Sequence, residues 1–216
     1  CSPLLLKEFN RLGISSVHII ISGGDVLRKE YVGNFLASGN VYNTYGPTEC
    51  TDIATSWRIN KQEIVEKKNI PIGTPIYNVS LLVMDKYQQV LPIGVMGELC
   101  IGGTGLSRGY LDNPELTAEK FRSAVIGHSS LVIGSSKSAT NDQCPMTNDR
   151  LYRTGDLARW LPEGNLEFLG RIDQQVKIRG FRIELEEIEN QIKKQEGIKD
   201  ASVITRENES ADKYLC

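Results

Sequence analysis

Short apolar runs separated by glycine and proline occupy residues 71–170, and this pattern constrains the fold more than any other feature of the chain. The runs lie at residues 79–84, 98–101, 151–152 and 166–169. Short apolar runs bounded by turn-forming residues are typical of β-strands. The pattern therefore predicts a β-rich unit, interrupted by one helix that Asn113 caps and Pro114 begins.

The N-terminal part of the chain has a different pattern. Residues 17–22 form an apolar run that ends in a turn at Gly23 and Gly24, and residues 26–37 carry apolar side chains at helical spacing. A second short run, residues 41–45, ends at a Gly-Pro pair. A strand, turn, helix and strand in this order predict an α/β sheet, in which ligands bind at the carboxyl ends of the strands.

The C-terminal part begins a third unit. Residues 176–183 alternate like a strand, residues 184–196 place apolar side chains on one helical face, and residues 201–205 are typical of a further strand. One helix and two strands bury too little surface to be stable alone. We therefore expect the opening of a small α+β domain in a chain that is truncated at both ends, since it also begins with Cys1 rather than methionine.

Composition excludes several classes of protein. The 25 Lys and Arg residues nearly balance the 27 Asp and Glu residues, a net charge of −2 that argues against a nucleic-acid binder. The longest apolar run, residues 17–21, is far too short to cross a membrane and contains His18. The five cysteines are scattered without a C-x-x-C pair, which argues against zinc and favours reduced thiols and a cytoplasmic location. Residues 122–150, rich in Ser, Gly, Asn and Asp, predict a long surface loop.

The segment NTYGPTECT, residues 43–51, carries the first candidate site. Tyr45 offers a ring that stacks on a flat heterocycle, and Thr48 with Glu49 offers the hard oxygen ligands that hold Mg²⁺ beside phosphates. An ordinary hairpin loop with a solvated glutamate explains the same residues about equally well. The segment alone leaves both interpretations open.

Three further segments are ambiguous when each is taken alone. The glycines of residues 102–109 fit neither common phosphate-binding pattern and favour turns of a barrel. Asp156 follows a glycine at a strand end, where a carboxylate accepts hydrogen bonds from both hydroxyls of a ribose. The cations of residues 171–182 indicate either an anion site or a solvated strand face.

The order of these segments identifies a family resemblance. The matching stretches are NTYGPTECT at residues 43–51, GELCIGGTGLSRGY at 97–110, YRTGDLARW at 152–160 and GRIDQQVKIRGFRIELEEIE at 170–189. With them, the chain resembles the amino-acid adenylation domain of nonribosomal peptide synthetases, a branch of the acyl-adenylate-forming, AMP-binding superfamily. YGPTE favours the peptide synthetases over acyl-CoA synthetases and luciferases.

The resemblance implies a fold of two classes, α/β and β. Residues 1–172 are expected to be the later part of the large AMP-binding domain, with strands of an α/β sheet and a distorted β-barrel. Residues 173–216 are expected to begin the small, mobile α+β domain, with Asp173 as the hinge. The implied reaction is ATP- and Mg²⁺-dependent formation of an aminoacyl-AMP with release of pyrophosphate. The amino acid then passes to the phosphopantetheine thiol of a peptidyl carrier domain in the same parent chain, so the enzyme is a ligase with neither nucleic-acid nor membrane partners.

Site residues follow from the resemblance position by position. The catalytic group is expected to comprise Thr48, Glu49 and Lys177, with Glu49 as the metal ligand. The residues expected to bind nucleotide are Gly23, Gly24, Asp25, Asn43, Tyr45, Gly46, Asp156 and Arg171. Those expected to line the amino-acid pocket are Ile21, Gly23, Thr44, Asp52 and Ile53. A carboxylate in an apolar pocket is costly to bury unpaired, so Asp52 predicts a substrate side chain with a cation or a donor, unless Asp52 faces a solvent channel.

Several family features are missing from the chain. They are the Ser/Thr/Gly-rich phosphate loop, the upstream aspartate that holds the substrate amino group, and the C-terminal lysine of the adenylation step. The isolated chain is therefore expected to bind nucleotide weakly and to be inactive, although its parent is an enzyme. An acyl-CoA ligase of the same superfamily and a non-catalytic remnant remain alternatives.

Overall fold

The structure, a computed structural model, describes residues 1–13, 17–66, 69–123, 150–173, 175–178, 181–207 and 213–216. The helices are α1 (Pro3–Arg11), α2 (Phe35–Ser38), α3 (Lys61–Glu66), α4 (Pro114–Lys120) and α5 (Leu185–Lys193). The strands are β1 (Ile19–Ser22), β2 (Asn40–Tyr45), β3 (Thr55–Arg58), β4 (Thr74–Pro75), β5 (Val79–Met84), β6 (Gly97–Gly103), β7 (Phe121–Ser123), β8 (Arg150–Trp160), β9 (Leu166–Arg171), β10 (Val176–Ile178), β11 (Phe181–Ile183), β12 (Thr205–Glu207) and β13 (Lys213–Leu215). In these ranges, none of the helices is long and apolar enough to span a membrane.

The first sheet contains β1 to β4 in chain order. β1 and β2 are parallel, while β3 pairs antiparallel with β2 and β4. Leu6, Ile20, Phe35, Val41 and Trp57 pack into one core beside this sheet. The α/β sheet predicted for the N-terminal part is confirmed.

The single helix predicted for residues 26–37 is wrong. A short 3₁₀ turn, Lys29–Tyr31, and the four-residue helix α2 take its place. Arg28 is extended, and Gly33, a poor helix former, lies between the two pieces. Val32 and Phe35 are nevertheless fully buried, so a packed connection produces the same apolar spacing as a helix.

The second sheet carries most of the β structure. Its strand order is β5-β6-β8-β7, with β9 paired to β8, and every pair is antiparallel. Leu81, Leu99, Ile101, Tyr152 and Leu166 lie in its core. The β-rich unit is confirmed, and the described strands form an open sheet rather than a closed barrel.

A short bridge joins the two sheets. Ile72 N–H donates to the Leu166 carbonyl at 2.8 Å, and Leu166 N–H donates to the Gly73 carbonyl at 2.8 Å. Gly73 has φ +90°, and a Cβ at this position would stand 2.2 Å from the Ser56 carbonyl oxygen. Only glycine allows this approach, which places the start of β9 beside β3.

The C-terminal segment matches the predictions in part. The strand predicted for residues 176–183 is two antiparallel strands, β10 and β11, and the predicted helix is α5. The strand predicted at residues 201–205 is wrong, since β12 begins at Thr205. Asn113 caps α4 as predicted, through its Oδ1, which accepts from Leu116 N–H at 3.0 Å. Most of the loop predicted at residues 122–150 lies outside the described residues.

Candidate functional site

A cleft of about 1230 Å³ opens beside the carboxyl ends of β2 and β9. Val176, Leu185 and Val203 contribute to it from the C-terminal segment. The lining includes most of the predicted nucleotide-binding residues: Gly24, Asp25, Asn43, Tyr45, Gly46, Asp156 and Arg171, together with Asp173 and Thr44. The fold therefore gathers into one cavity predicted nucleotide-binding residues that lie up to 147 positions apart in the sequence, from Gly24 to Arg171.

Asp156 is held in place on both sides. Tyr45 Oη donates to its Oδ2 at 2.5 Å, and Arg171 Nη1 donates to its Oδ1 at 2.9 Å. The Asp156 N–H donates to Thr154 Oγ1 at 2.9 Å. Burial and the adjacent Asp156 carboxylate raise the pKa of Tyr45 well above its ordinary value, so the hydroxyl stays protonated and donates. The result is a preorganised carboxylate in the cleft wall.

Arg171 connects Asp156 to Asp173. Its Nε donates to Asp173 Oδ1 at 2.6 Å and its Nη2 to Oδ2 at 2.5 Å, a bidentate pair. Burial alone would raise the pKa of Asp173, but the hydrogen bonds and charge of Arg171 hold it below its ordinary value. Gly155 has φ +72°, and a Cβ there would lie 2.8 Å from Arg171 Nη2. Glycine at this position makes room for the guanidinium.

A second cluster surrounds Glu49, which does not line the cleft. The buried carboxylate accepts from Tyr110 Oη at 2.7 Å, and Arg182 Nη1 lies 2.9 Å from Oε1 and 3.1 Å from Oε2. Burial raises the pKa of Glu49, but the Tyr110 hydrogen bond and the Arg182 charge lower it below its ordinary value overall. Glu49 is therefore an ionised carboxylate near neutral pH.

The oxygen atoms of Thr48 and Glu49 are suitable ligands for a magnesium ion. Thr48 is exposed beside Glu49, so the two offer a hydroxyl and a carboxylate, both hard oxygen ligands. Mg²⁺ in nucleotide sites is usually held by one or two carboxylates together with phosphates. Among the described residues no group of three or more His, Cys, Asp and Glu could hold a metal by itself. The single carboxylate of Glu49 is sufficient for a metal ion that is also held by the phosphates of a bound nucleotide.

Other predicted site residues lie elsewhere. Gly23 packs against Thr44, since a Cβ on Gly23 would be 2.6 Å from Thr44 Oγ1. Ile21 and Asp52 are exposed and, like Gly23 and Ile53, do not line the cleft. Lys177 lies on β10, where its backbone pairs with that of Arg182. The predicted amino-acid pocket is therefore not assembled around this cleft, apart from Thr44.

The turn that separates β2 from β3 is strained. Thr51 and Asp52 have φ values of 61° and 71°, a backbone conformation that residues other than glycine rarely adopt. Thr51 Oγ1 donates to the Gly105 carbonyl at 2.7 Å, which ties the turn to the glycine-rich loop after β6. That loop packs on the turn, in agreement with its interpretation as structural.

Tyr110 and Arg182 were not assigned a role in the site from the sequence, although Arg182 is one of the cations of residues 171–182 that indicated either an anion site or a solvated strand face. Arg182 lies 133 positions from Glu49 and Tyr110 lies 61 positions away, so no local pattern connects them. Both residues nevertheless fall within the matching stretches at residues 97–110 and 170–189. Their position inside these family-matching stretches was the feature of the sequence that could have identified them as site residues.

Glu98 supports the middle of β8, which carries Asp156. The pairing of β6 with β8 shifts register here, and Asp156 lies within the strand rather than at the strand end predicted from the sequence. Its Oε2 accepts from Arg153 Nε at 3.0 Å and Nη2 at 2.5 Å, and its Oε1 accepts from Gly155 N–H at 3.1 Å. Glu98→Ala leaves the Arg153 guanidinium and the buried Gly155 N–H without this partner. We therefore expect the free energy of unfolding to fall by about 3 kcal/mol.

Denaturant unfolding measures this loss. Glu8→Ala is the matched control, since Glu8 forms an exposed pair with Arg11 and its removal should change stability by less than about 0.5 kcal/mol. Equal effects of the two substitutions would contradict a supporting role for Glu98.

The chain is similar to known proteins in both sequence and fold. The sequence profile of the family described as "AMP-binding enzyme" matches residues 4–111. Bacitracin synthase 2 of Bacillus licheniformis is 46% identical over 219 residues, which cover 100% of this chain and 8% of the synthase. The chain thus spans a small part of this relative.

Two solved structures are similar over the whole chain. One is an NRPS protein containing adenylation and PCP domains, bound to a vinylsulfonamide inhibitor, with a TM-score of 0.83, 28% identity and coverage of 99% of this chain and 35% of that chain. The other is a four-domain nonribosomal peptide synthetase bound to AMP and glycine, with a TM-score of 0.64, 36% identity and coverage of 100% and 15%. Since the profile covers half of the 216 residues and the fold agrees throughout, the chain belongs to the AMP-binding enzyme family.

Proposed function

We propose that the protein containing this chain activates an amino acid as aminoacyl-AMP and passes it to a carrier-domain thiol. The observation that carries the proposal is the Asp156 carboxylate, fixed by Tyr45 and Arg171 in the wall of the cleft. The similarity to a synthetase bound to AMP and glycine supports both the nucleotide and the substrate class.

The nucleotide occupies the cleft in this proposal. Asp156 accepts hydrogen bonds from the ribose hydroxyls, and adenine lies against the ring of Tyr45. The Tyr45 hydroxyl is bound to Asp156 and its ring centroid lies 6.3 Å from that of Phe168, so the ring is held before the nucleotide arrives. Gly24, Asp25, Asn43 and Gly46 complete the wall and Arg171 reaches the ribose from the other side.

The reaction has two steps. The carboxylate of the amino acid attacks the α-phosphorus of ATP, the bond between the α- and β-phosphates breaks, and pyrophosphate leaves. The thiol of phosphopantetheine then attacks the acyl carbonyl, loses its proton and displaces AMP. Thr48 and Glu49 would hold Mg²⁺, which when bound stabilises the charge that grows on the phosphoryl oxygens. We assign Lys177 to the second step.

Domain movement belongs to the same proposal. Residues 1–172 would be the later part of the large domain and residues 173–216 the beginning of the small one, with Asp173 as the hinge. The bidentate pair from Arg171 to Asp173 supports this assignment, since it fixes the hinge to the residue that holds Asp156. The amino-acid pocket of Ile21, Gly23, Thr44, Asp52 and Ile53 stays a prediction.

The surroundings of the reaction follow from the relatives and the cysteines. The structures of similar proteins contain adenylation and PCP domains, which supports a carrier domain in the same parent chain. Cys1, Cys50, Cys100 and Cys216 are free thiols, which supports a reducing, cytoplasmic location.

Pyrophosphate exchange tests the function. The complete adenylation domain, this chain with the flanking sequence of its own gene, is assayed for exchange of labelled pyrophosphate into ATP with each proteinogenic amino acid. We expect one amino acid, or a small related set, to support exchange far above the background. Exchange with fatty or aryl acids alone, followed by thioester formation with free CoA, would instead identify an acyl-CoA ligase. Absence of exchange with every acid would refute adenylation.

A further inference from the structure

Tyr110 is anchored from both its backbone and its ring. Its N–H donates to Thr117 Oγ1 of α4 at 2.9 Å, and that hydroxyl donates to the Asn113 carbonyl at 2.8 Å. The Tyr110 ring packs edge-on against Phe121, with the centroids 5.8 Å apart. A side chain held at both ends places its hydroxyl reproducibly.

The turn that carries Glu49 is bound to the loop that carries Tyr110. Ser107 N–H donates to the Glu49 carbonyl at 2.8 Å, and Thr51 Oγ1 donates to the Gly105 carbonyl at 2.7 Å. The Tyr110 hydroxyl adds a contact to the Glu49 side chain at 2.7 Å. Backbone and side chain of Glu49 are thus both fixed to the residues that follow β6.

Arg182 contacts the same carboxylate in a different way. Its Nη1 lies within 3.1 Å of both Glu49 oxygens, and its side chain is 39% exposed. A divalent cation and a guanidinium compete for the same oxygens because both are positive. The Tyr110 hydroxyl is neutral and approaches one oxygen, so it stays in place when a cation replaces Arg182.

We propose that Tyr110 is a positioning residue that holds the Glu49 carboxylate in the orientation that receives the nucleotide-bound cation. This inference rests on the proposed function, which brings Mg²⁺ and ATP to Glu49. Tyr152 also acts on this carboxylate through a hydrogen bond that lowers the pKa of Glu49, and its hydroxyl lies 3.5 Å from that of Tyr110. Removal of the Tyr110 hydroxyl therefore weakens the ordering of Glu49 without abolishing it, and the incoming cation has to complete that ordering, which lowers the cation affinity.

Manganese binding measures the effect independently of turnover. The complete adenylation domain is titrated with Mn²⁺ in the presence of α,β-methylene-ATP, and free Mn²⁺ is read from its electron paramagnetic resonance signal. Tyr110→Phe keeps the ring and removes the hydroxyl, and we expect the Mn²⁺ dissociation constant to rise about tenfold. Tyr77→Phe removes a hydroxyl from a tyrosine that is 84% exposed, and it should leave the constant unchanged.

A rescue experiment separates positioning from packing. Replacement of Tyr110 by 4-aminophenylalanine restores a donor and should return the affinity to within about twofold of the original. Replacement by 4-methylphenylalanine matches its size without a donor and should behave like Tyr110→Phe. These two variants also make the comparison if Tyr110→Phe fails to fold.

The outcomes distinguish this inference from the proposed function. If Glu49→Gln abolishes Mn²⁺ binding while Tyr110→Phe and the methyl variant bind normally, the role of Tyr110 is refuted and the proposed function stands. If the unmodified domain binds neither Mn²⁺ nor the nucleotide analogue, both are refuted.

Discussion

Replacement of Glu49 by glutamine is expected to lower amino-acid-dependent pyrophosphate exchange about a hundredfold or more. Glutamine keeps the shape of the side chain and still accepts a hydrogen bond from Tyr110, which lies 2.7 Å from Oε1. It removes the negative charge that would hold the cation beside the phosphates. The loss should appear at saturating ATP and be partly recovered at high Mg²⁺ concentration.

Arg182→Gln is the matched control for this experiment. It breaks the same ion pair, 2.9 Å between Arg182 Nη1 and Glu49 Oε1, but leaves the carboxylate in place. Exchange in Arg182→Gln should therefore fall much less than in Glu49→Gln. Equal losses in the two variants would mean that Glu49 acts only as a partner of Arg182, which contradicts its assignment as a metal ligand.

Gly46→Ala is expected to lower the free energy of unfolding by about 3 kcal/mol or more. A Cβ at Gly46 would stand 2.4 Å from the Asp52 carbonyl oxygen and 2.6 Å from the Ala54 nitrogen. Both atoms belong to the backbone, and Ala54 N–H already donates to the Tyr45 carbonyl at 2.8 Å. The turn therefore has to open to admit a methyl group, and Tyr45 would move with it.

Gly33→Ala is the matched control for stability. Nothing lies within 4 Å of a Cβ added at Gly33, and its backbone is outside the left-handed region. We expect its stability to stay within about 1 kcal/mol of the original, with a small gain from reduced unfolded-state entropy. Denaturant midpoints of the complete domain measure both variants, and a Gly46→Ala midpoint equal to that of Gly33→Ala would contradict the crowding described for the turn.

Local signals in the sequence predicted much of the fold. Asn113 followed by proline predicted the start of α4, and the apolar face of residues 184–196 predicted α5. The helix predicted at residues 26–37 was wrong because two short helical pieces, not one helix, bury Val32 and Phe35. The spacing of these apolar residues alone does not reveal that the helix is interrupted at Gly33. The spacing of apolar residues predicts which side chains are buried. The secondary structure that carries them depends also on the tertiary contacts that bury each side chain.

Some contacts of the candidate site could be predicted from the sequence, and others could not. Tyr45, Asp156 and Arg171, each expected at the nucleotide from a family motif, meet at one carboxylate in the cleft. The contact of Glu49 with Arg182 joins residues 133 positions apart, and such pairs depend on the packing of whole sheets. Asp52 stays a prediction as a pocket residue, and its exposure on the turn is compatible with the alternative of a solvent channel. The close packing of its carbonyl oxygen against Gly46 is a tertiary contact that no local pattern predicts.

A crystal structure of the complete adenylation domain with AMP would show whether the nucleotide binds at Asp156. We expect the ribose hydroxyls to lie within hydrogen-bond distance, about 3 Å, of the Asp156 carboxylate, with adenine against the ring of Tyr45. AMP bound outside the cleft, with Asp156 still contacting only protein groups, would contradict this expectation.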